Sequence, residues 1–347
     1  MRTVAALAAA LLAFPLFAQP GKPYTHQNFL NDPDEFSFAV LPDVHGADFN
    51  GEDFRGGLTN AVRVLNLLRP QFVMSVGDLI PYGWFRESSV RKQHADFQRK
   101  IDALVPPFYF VPGNHDIAPS QRQPKGLDRA NEISTKVWKE FHGENPYYSF
   151  VYRNCLFVVL NTIDEYVLGA KHHNLTDKQY AWFKKTLDGH KDVRWTFIFM
   201  HQPSTWTTKE WLDFEVANLV HRKYTVFAGD WHQYLHVRRH DHDYYVLSVA
   251  GGCSGWSDNK DREDRARLKG PEYGEIDHVM MVTMTAEGPV IVNIRLDGVL
   301  PHDFVNQRTT KSLSKANFKW QLDYPVDPGV KKRLERLKAE HEAAKAK

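Results

Sequence analysis

Five apolar or aromatic runs in this 347-residue chain each stop abruptly and hand over to a histidine, an aspartate or an asparagine. The clearest is Phe108-Tyr109-Phe110-Val111, which halts at Pro112-Gly113 and is followed at once by Asn114, His115 and Asp116. An aromatic, β-branched run reads as a buried strand, and Pro-Gly reads as its turn onto a loop. Taken alone, Asn114-His115-Asp116 is equally consistent with an ordinary turn, because Asn and Asp bond their own backbone there. The pattern recurs, however. Residues 36–41 end at Pro42 and release Asp43 and His45, and residues 72–76 end at Gly77-Asp78. Residues 195–200 end at His201, and residues 224–228 end at Gly229 before Asp230 and His232. A lone aspartate after a strand is usually a cap or a turn, and a lone histidine is usually surface or core. Carboxylates, imidazoles and an amide after successive strands read instead as one site, because ligands of open α/β sheets collect beyond the carboxyl ends of the strands.

The intervals between these runs carry helical periodicity. Leu58, Ala61, Val62, Leu65 and Leu68 share one helical face that Pro70 ends, and Val90, Phe97, Ile101 and Leu104 share another that stops at Pro106-Pro107. Strand, helix, strand, helix, strand implies a parallel sheet with right-handed crossovers. Further on, residues 133–141 read as a short helix, and two strands meet in a hairpin at Arg153-Asn154, so the sheet system is mixed. Thr176 and Gln179 fit a capping box for a helix carrying Tyr180, Phe183 and Leu187. A helix is expected near residues 211–220, and strands over 244–249, 279–283 and 289–296, which read as antiparallel.

Chemistry narrows what the strand ends would bind. Asp43, Asp78 and Asp230, with His45, His115, His201, His232 and Asn114, make an oxygen and imidazole donor set without cysteine. Such a set suits Zn, Mn or Fe. It is too large for one tetrahedral ion, whereas two divalent ions sharing a bridging carboxylate fit it. Paired ions about 3.5–4 Å apart are the arrangement used to hydrolyse phosphate esters.

Asp43-Val44-His45, Gly77-Asp78, Gly113-Asn114-His115-Asp116, His201 and Gly229-Asp230-Trp231-His232 resemble, in order, the five motifs of the calcineurin-like metallophosphoesterase superfamily. The similarity runs roughly over residues 36–300. It implies an α/β fold, a four-layer α/β/β/α sandwich with two mixed β-sheets. It also implies that Asp43, His45, Asp78 and His232 hold a first ion, and that Asp78 bridges to a second completed by Asn114, His201 and Asp230. His115 then faces the substrate phosphate as the catalytic residue, with Asp116 as its candidate orienting partner. Hydrolysis of a phosphate mono- or diester would follow from attack by a metal-bridging hydroxide. The alternative is a metal-bound binding protein of the same fold that has lost catalysis. Retention of Asp78, Asn114 and His115 weighs against it. Two departures from the family pattern stand out. Asp230 occupies the place of the first His of Gly-His-x-His, and Tyr82 is one residue too far along for the Asp-x-x-Tyr of a tyrosine-ligated ferric centre. Trp84 and Arg86 are weaker candidates for lining the cleft, with an exposed loop as the competing reading, and Trp231 and Trp256 for stacking on a leaving group, although packing is the commoner role of Trp.

Composition bounds the partners. Charged residues make up 25% of the chain with a formal net charge of +2, which leaves no electrostatic footprint for nucleic acid. A small-molecule or lipid-head-group phosphate ester is the expected substrate. Arg2, an apolar stretch over residues 4–17 and Ala18 read as a secretory signal peptide, since the run is shorter than the ~20 residues of a spanning helix. Export to a periplasmic or extracellular space follows, with no transmembrane segment left after cleavage. The expected partition is a signal peptide over 1–18, an extended lead-in over 19–34, a catalytic domain over 35–305 and a polar tail with a charged helix over 306–347. Cys155 and Cys253 are the two cysteines, and a bridge between them is less expected than Cys155 acting as a small buried hydrophobe.

Overall fold

The computed structural model describes residues 35–45, 57–81, 86–117, 127–163, 174–250, 274–296 and 298–301. The chain begins with β1 (Phe36–Leu41), α1 (Gly57–Leu68), β2 (Val73–Ser75), α2 (Glu87–Ile101), β3 (Phe108–Tyr109), α3 (Asn114–Ile117) and α4 (Leu127–His142). It continues with β4 (Tyr148–Tyr152), β5 (Cys155–Val159), α5 (Asp177–Gly189), β6 (Trp195–Phe199), a 3-10 turn (Pro203–Thr207), α6 (Lys209–Asn218) and β7 (Tyr224–Ala228). It closes with β8 (Leu235–Arg239), β9 (His242–Val246), β10 (His278–Met284), β11 (Pro289–Arg295) and β12 (Gly298–Pro301).

The strands form two six-stranded mixed sheets, ordered β12-β11-β10-β1-β2-β3 and β4-β5-β6-β7-β9-β8. Alternation along each strand explains why the sheets stack. Phe36, Phe38 and Val40 of β1 join Cys155, Phe157 and Val159 of β5 and Phe197 and Phe199 of β6 in one buried cluster. Ala39 and Leu41 point the other way and pack with Leu58, Val62 and Leu65 of α1, Val90 and Phe97 of α2 and Val137 of α4. On the far side, Leu156, Val158, Ile198 and Val226 meet Phe183 and Leu187 of α5 and Trp211 of α6. The outcome is the expected α/β/β/α sandwich. Its centre is aromatic: the Phe38 ring lies 5.5 Å from Phe72, 5.2 Å from Phe157 and 4.9 Å from Phe197. Truncating such a side chain to alanine costs about 3–5 kcal/mol.

Several local expectations change. β3 spans two half-buried residues because it is the edge strand, paired only with β2. Asn114, His115 and Asp116 lie on a single helical turn, α3, and not on a loop. Leu68 is partly exposed at the end of α1, and Leu104 lies beyond α2 although it still packs against that core. β9 runs parallel to β7 and antiparallel to β8. The hairpin at Arg153-Asn154 forms as expected, with both residues in the left-handed region at φ 43 and 56. Only half of the capping box forms. Thr176 Oγ1 accepts from Gln179 N, but the Gln179 amide pairs with the backbone of Asn161 instead of reaching back. No described helix is long and apolar enough to cross a membrane. Cys155 is buried in β5, while Cys253 and the expected signal peptide, lead-in and tail lie outside the described residues.

Candidate metal centre

β1, β2, β3, β6 and β7 all deliver their carboxyl ends to one place. Four of the residues that arrive there hold left-handed backbone: His45 at φ 40, Asp78 at 51, Asp230 at 68 and His232 at 54. For non-glycine residues such angles are uncommon and must be held by their surroundings. The glycines beside them make the approach sterically feasible. A Cβ on Gly113 would lie 2.2 Å from the Asp78 backbone N and Oδ1, and one on Gly229 would lie 2.1 Å from Asp43 Oδ1.

Asp43, His45, Asp78 and His232 each offer a ligand atom, and these atoms lie within 4.8 Å of one another. His45 Nε2 is 3.0 Å from His232 Nε2, which is 3.4 Å from Asp43 Oδ2. Asp43 is fully buried, and its Oδ1 has no hydrogen-bond partner among the described residues. The other oxygen accepts from Asp230 N at 2.8 Å.

A second group meets at His201. Its Nδ1 lies 2.7 Å from the carbonyl oxygen of Val76, which can only accept, so Nδ1 carries the proton. Nε2 then faces Asn114 Oδ1 at 2.9 Å, Asp78 Oδ1 at 3.2 Å and Asp230 Oδ1 at 3.5 Å. Oxygens gathered round that nitrogen call for positive charge among them, a proton on Nε2 or a cation in its place. The titration directions agree. Burial acts to lower the His201 pKa, but the Asp78, Asp230 and Asp43 carboxylates outweigh it and raise it well above the usual value. Burial likewise acts to raise Asp78, but His201 and His115 hold it well below the carboxylate range. Burial pushes Asp43 well up and His232 down to about 4. Two carboxylate-rich clusters sharing Asp78 are a fit for divalent cations.

His115 sits at the rim. Its Nδ1 bonds the Pro81 carbonyl, its Nε2 is 3.9 Å from Asp78 Oδ2, and its ring stands edge-on to His45 at 4.6 Å. Its backbone N–H donates to Asp78 Oδ1 at 2.9 Å. Asp116 has a different task from the one expected for it. It is buried and accepts from Leu79 N, Ile80 N and Gly113 N, which braces the Asp78 loop against the Asn114 turn. Trp231 is half-buried against the outer helical core. Arg86 is exposed before α2, and Tyr82, Trp84 and Trp256 lie outside the described residues.

Residues 36–234 match the family model for calcineurin-like phosphoesterases. The chain therefore belongs to that family of phosphoric ester hydrolases. Over 198 residues it is 24% identical to a probable glycerophosphodiester phosphodiesterase, GpdQ, of Arcobacter nitrofigilis, a match covering 55% of this chain and 66% of that protein. It thus spans just under two thirds of the relative's length. Among solved structures, it is similar to GAP50, described as the anchor in the inner membrane complex of Plasmodium. The TM-score is 0.51 at 11% identity, over 81% of this chain and 94% of that one. A dimetal phosphatase from Danio rerio gives a TM-score of 0.49 at 18% identity, over 76% of this chain and 98% of that one. At these identities the solved structures speak for the fold alone.

Proposed function

We propose that this chain is an exported, two-metal phosphodiesterase acting on a small-molecule or lipid-head-group phosphate ester. The observation that carries the reading is His201 Nε2 enclosed by Asn114, Asp78 and Asp230 oxygens, beside the Asp43, His45, Asp78 and His232 group. Asp43, His45, Asp78 and His232 would hold one ion, and Asp78, Asn114, His201 and Asp230 the other. Divalent ions there would acidify water and offset charge on a phosphoryl group. Asp78 links the two positions because its two oxygens face different partners, His201 on one side and His45 and His115 on the other.

In this reading His115 acts on the substrate. With Nδ1–H committed to the Pro81 carbonyl, Nε2 is the nitrogen directed at the site. In its protonated form it donates to a phosphoryl oxygen or hands a proton to the departing alkoxide. The diester preference draws support from the relative named a probable glycerophosphodiester phosphodiesterase. The test is metal-stripped protein reconstituted with Mn²⁺, Zn²⁺ or Fe²⁺ and assayed on bis(p-nitrophenyl) phosphate, p-nitrophenyl phosphate and a glycerophosphodiester. Metal-dependent turnover favouring the diesters is expected. Metal binding without turnover of any ester would replace this reading with the binding-protein one.

A further inference from the structure

His232 carries its side chain into the centre from a left-handed backbone, and something must hold that backbone. The loop is fixed upstream by Gly229 N on the His201 carbonyl at 2.9 Å and Asp230 N on Asp43 Oδ2 at 2.8 Å. Downstream, Tyr234 N donates to the Gly274 carbonyl at 2.7 Å. At His232 itself the backbone carbonyl accepts from Ser248 Oγ at 2.9 Å.

Ser248 is held in turn. Its N–H donates to His278 Nε2 at 3.1 Å, and His278 Nδ1 lies 2.9 Å from Asn293 Oδ1. All three residues are fully buried. The polarity of the chain is determined at one end, because a backbone N–H can only donate. His278 Nε2 must therefore be the acceptor, Nδ1 must carry the proton, and the Asn293 amide must present its oxygen. A protonated His278 would set N–H against N–H, and burial indeed pushes its pKa down to about 3. The chain crosses from β10 and β11 of one sheet to the segment after β9 of the other. The same segment tethers the first motif: Asp43 bridges Val249, and Ala250 N donates to the Asp43 carbonyl at 3.1 Å.

We propose that Ser248, His278 and Asn293 are positioning residues, a relay across the two sheets that fixes the His232 backbone so that its imidazole meets the metal. This rests on the metal reading of the site given above. None of the three faces the substrate, so their effect appears first in metal affinity. Groups that orient ligands from behind typically change affinity by about 10–100-fold when removed.

The test is the Mn²⁺ dissociation constant of the metal-stripped full-length chain, measured by calorimetry well below the melting midpoint. Ser248→Ala is expected to weaken Mn²⁺ binding about tenfold. His278→Gln and His278→Asn then separate positioning from packing. The Gln amide oxygen can take the place of Nε2 and accept from Ser248 N–H, so affinity stays near wild type. The Asn amide replaces only the Nδ1 donor toward Asn293, so affinity falls as in Ser248→Ala. A packing role would lower the melting midpoint of both His278 variants and leave affinity alone. Wild-type affinity in Ser248→Ala, or equal shifts in the two His278 variants, would overturn the relay. If His278→Asn fails to fold, Ser248→Ala decides by itself. Wild-type protein that binds no Mn²⁺ would overturn the metal reading and the relay with it.

Discussion

The backbone N–H of His115 donates to Asp78 Oδ1, so the residue proposed to face the substrate also anchors the carboxylate proposed to link the two metal positions. The anchor is main chain and survives loss of the side chain. His115→Ala should therefore keep nearly full metal content while turnover falls about 10²–10⁴-fold, the usual contribution of a positioned general acid. Asp78→Asn should lower metal content and turnover together. Metal analysis beside kinetics checks both. Release of metal by His115→Ala would contradict the division of roles.

Gly113→Ala places a methyl group where the Asp78 backbone already lies, 2.2 Å from its N, and backbone cannot swing aside. The expected result is a loss of about 1–3 kcal/mol in stability together with weakened metal binding. Gly189→Ala is the control, since a Cβ there meets nothing within 4 Å. Denaturant melts of the three proteins decide the point.

Acid should destabilise the α2–α4 contact. His94 Nε2 and His142 Nδ1 are buried without hydrogen-bond partners among the described residues, and the rings meet through His142 Nε2 and His94 Nδ1 at 3.2 Å. Burial lowers His94 from 6.5 to about 4 and His142 to about 2. Between those values the unfolded chain takes up protons that the folded one refuses. Stability is thus complete above about pH 6.5 and falls as pH drops, by roughly 2 kcal/mol per histidine at pH 5. Melts from pH 7.5 to 5 should show this slope, and His94→Gln should flatten it.

Asp230→His should move metal preference toward Zn²⁺. Asp230 Oδ1 is 3.5 Å from His201 Nε2, and its carboxylate is a harder donor than imidazole, favouring Mn²⁺ or Fe²⁺. Competitive loading followed by elemental analysis reads the change. Equal Mn-to-Zn ratios in the two proteins would remove Asp230 from direct coordination.

Expression with the native amino terminus should give exported protein starting near Gln19. Intact-mass measurement checks it. Material retaining residues 1–18 would favour an anchor instead.

The strands that carry the centre could be read because each is a largely apolar or aromatic run ended by Pro, Gly or His. β8 could not. Leu235-His236-Val237-Arg238-Arg239 mixes cations into the strand, and its turn, His240-Asp241, adopts φ 54 and 63 with neither Gly nor Asn to signal it. The parallel pairing of β9 with β7 is a long-range choice that local periodicity does not encode. At the site, motif order brought the donors into view, whereas the Asp116 brace and the Ser248 relay turn on long-range contacts, Leu79 with Asp116 across 37 positions and Ser248 with His278 across 30. One faint sign existed: Asn293 is a lone polar residue in the apolar run Val290-Ile291-Val292-Asn293-Ile294 and sits fully buried.

Asp43, Asp78 and Asn114 reach the centre from one sheet, and His201, Asp230 and His232 reach it from the other. The gap between sheets is set by interlocked rings such as Phe38 and Phe157, 5.2 Å apart and nearly perpendicular. Donor spacing at the centre is therefore calibrated by ring sizes between the sheets. A bulkier side chain at Phe38 would act like a shim, prising the two halves of the coordination set apart without touching either. A working centre then depends on aromatic positions that lie away from it, between the sheets.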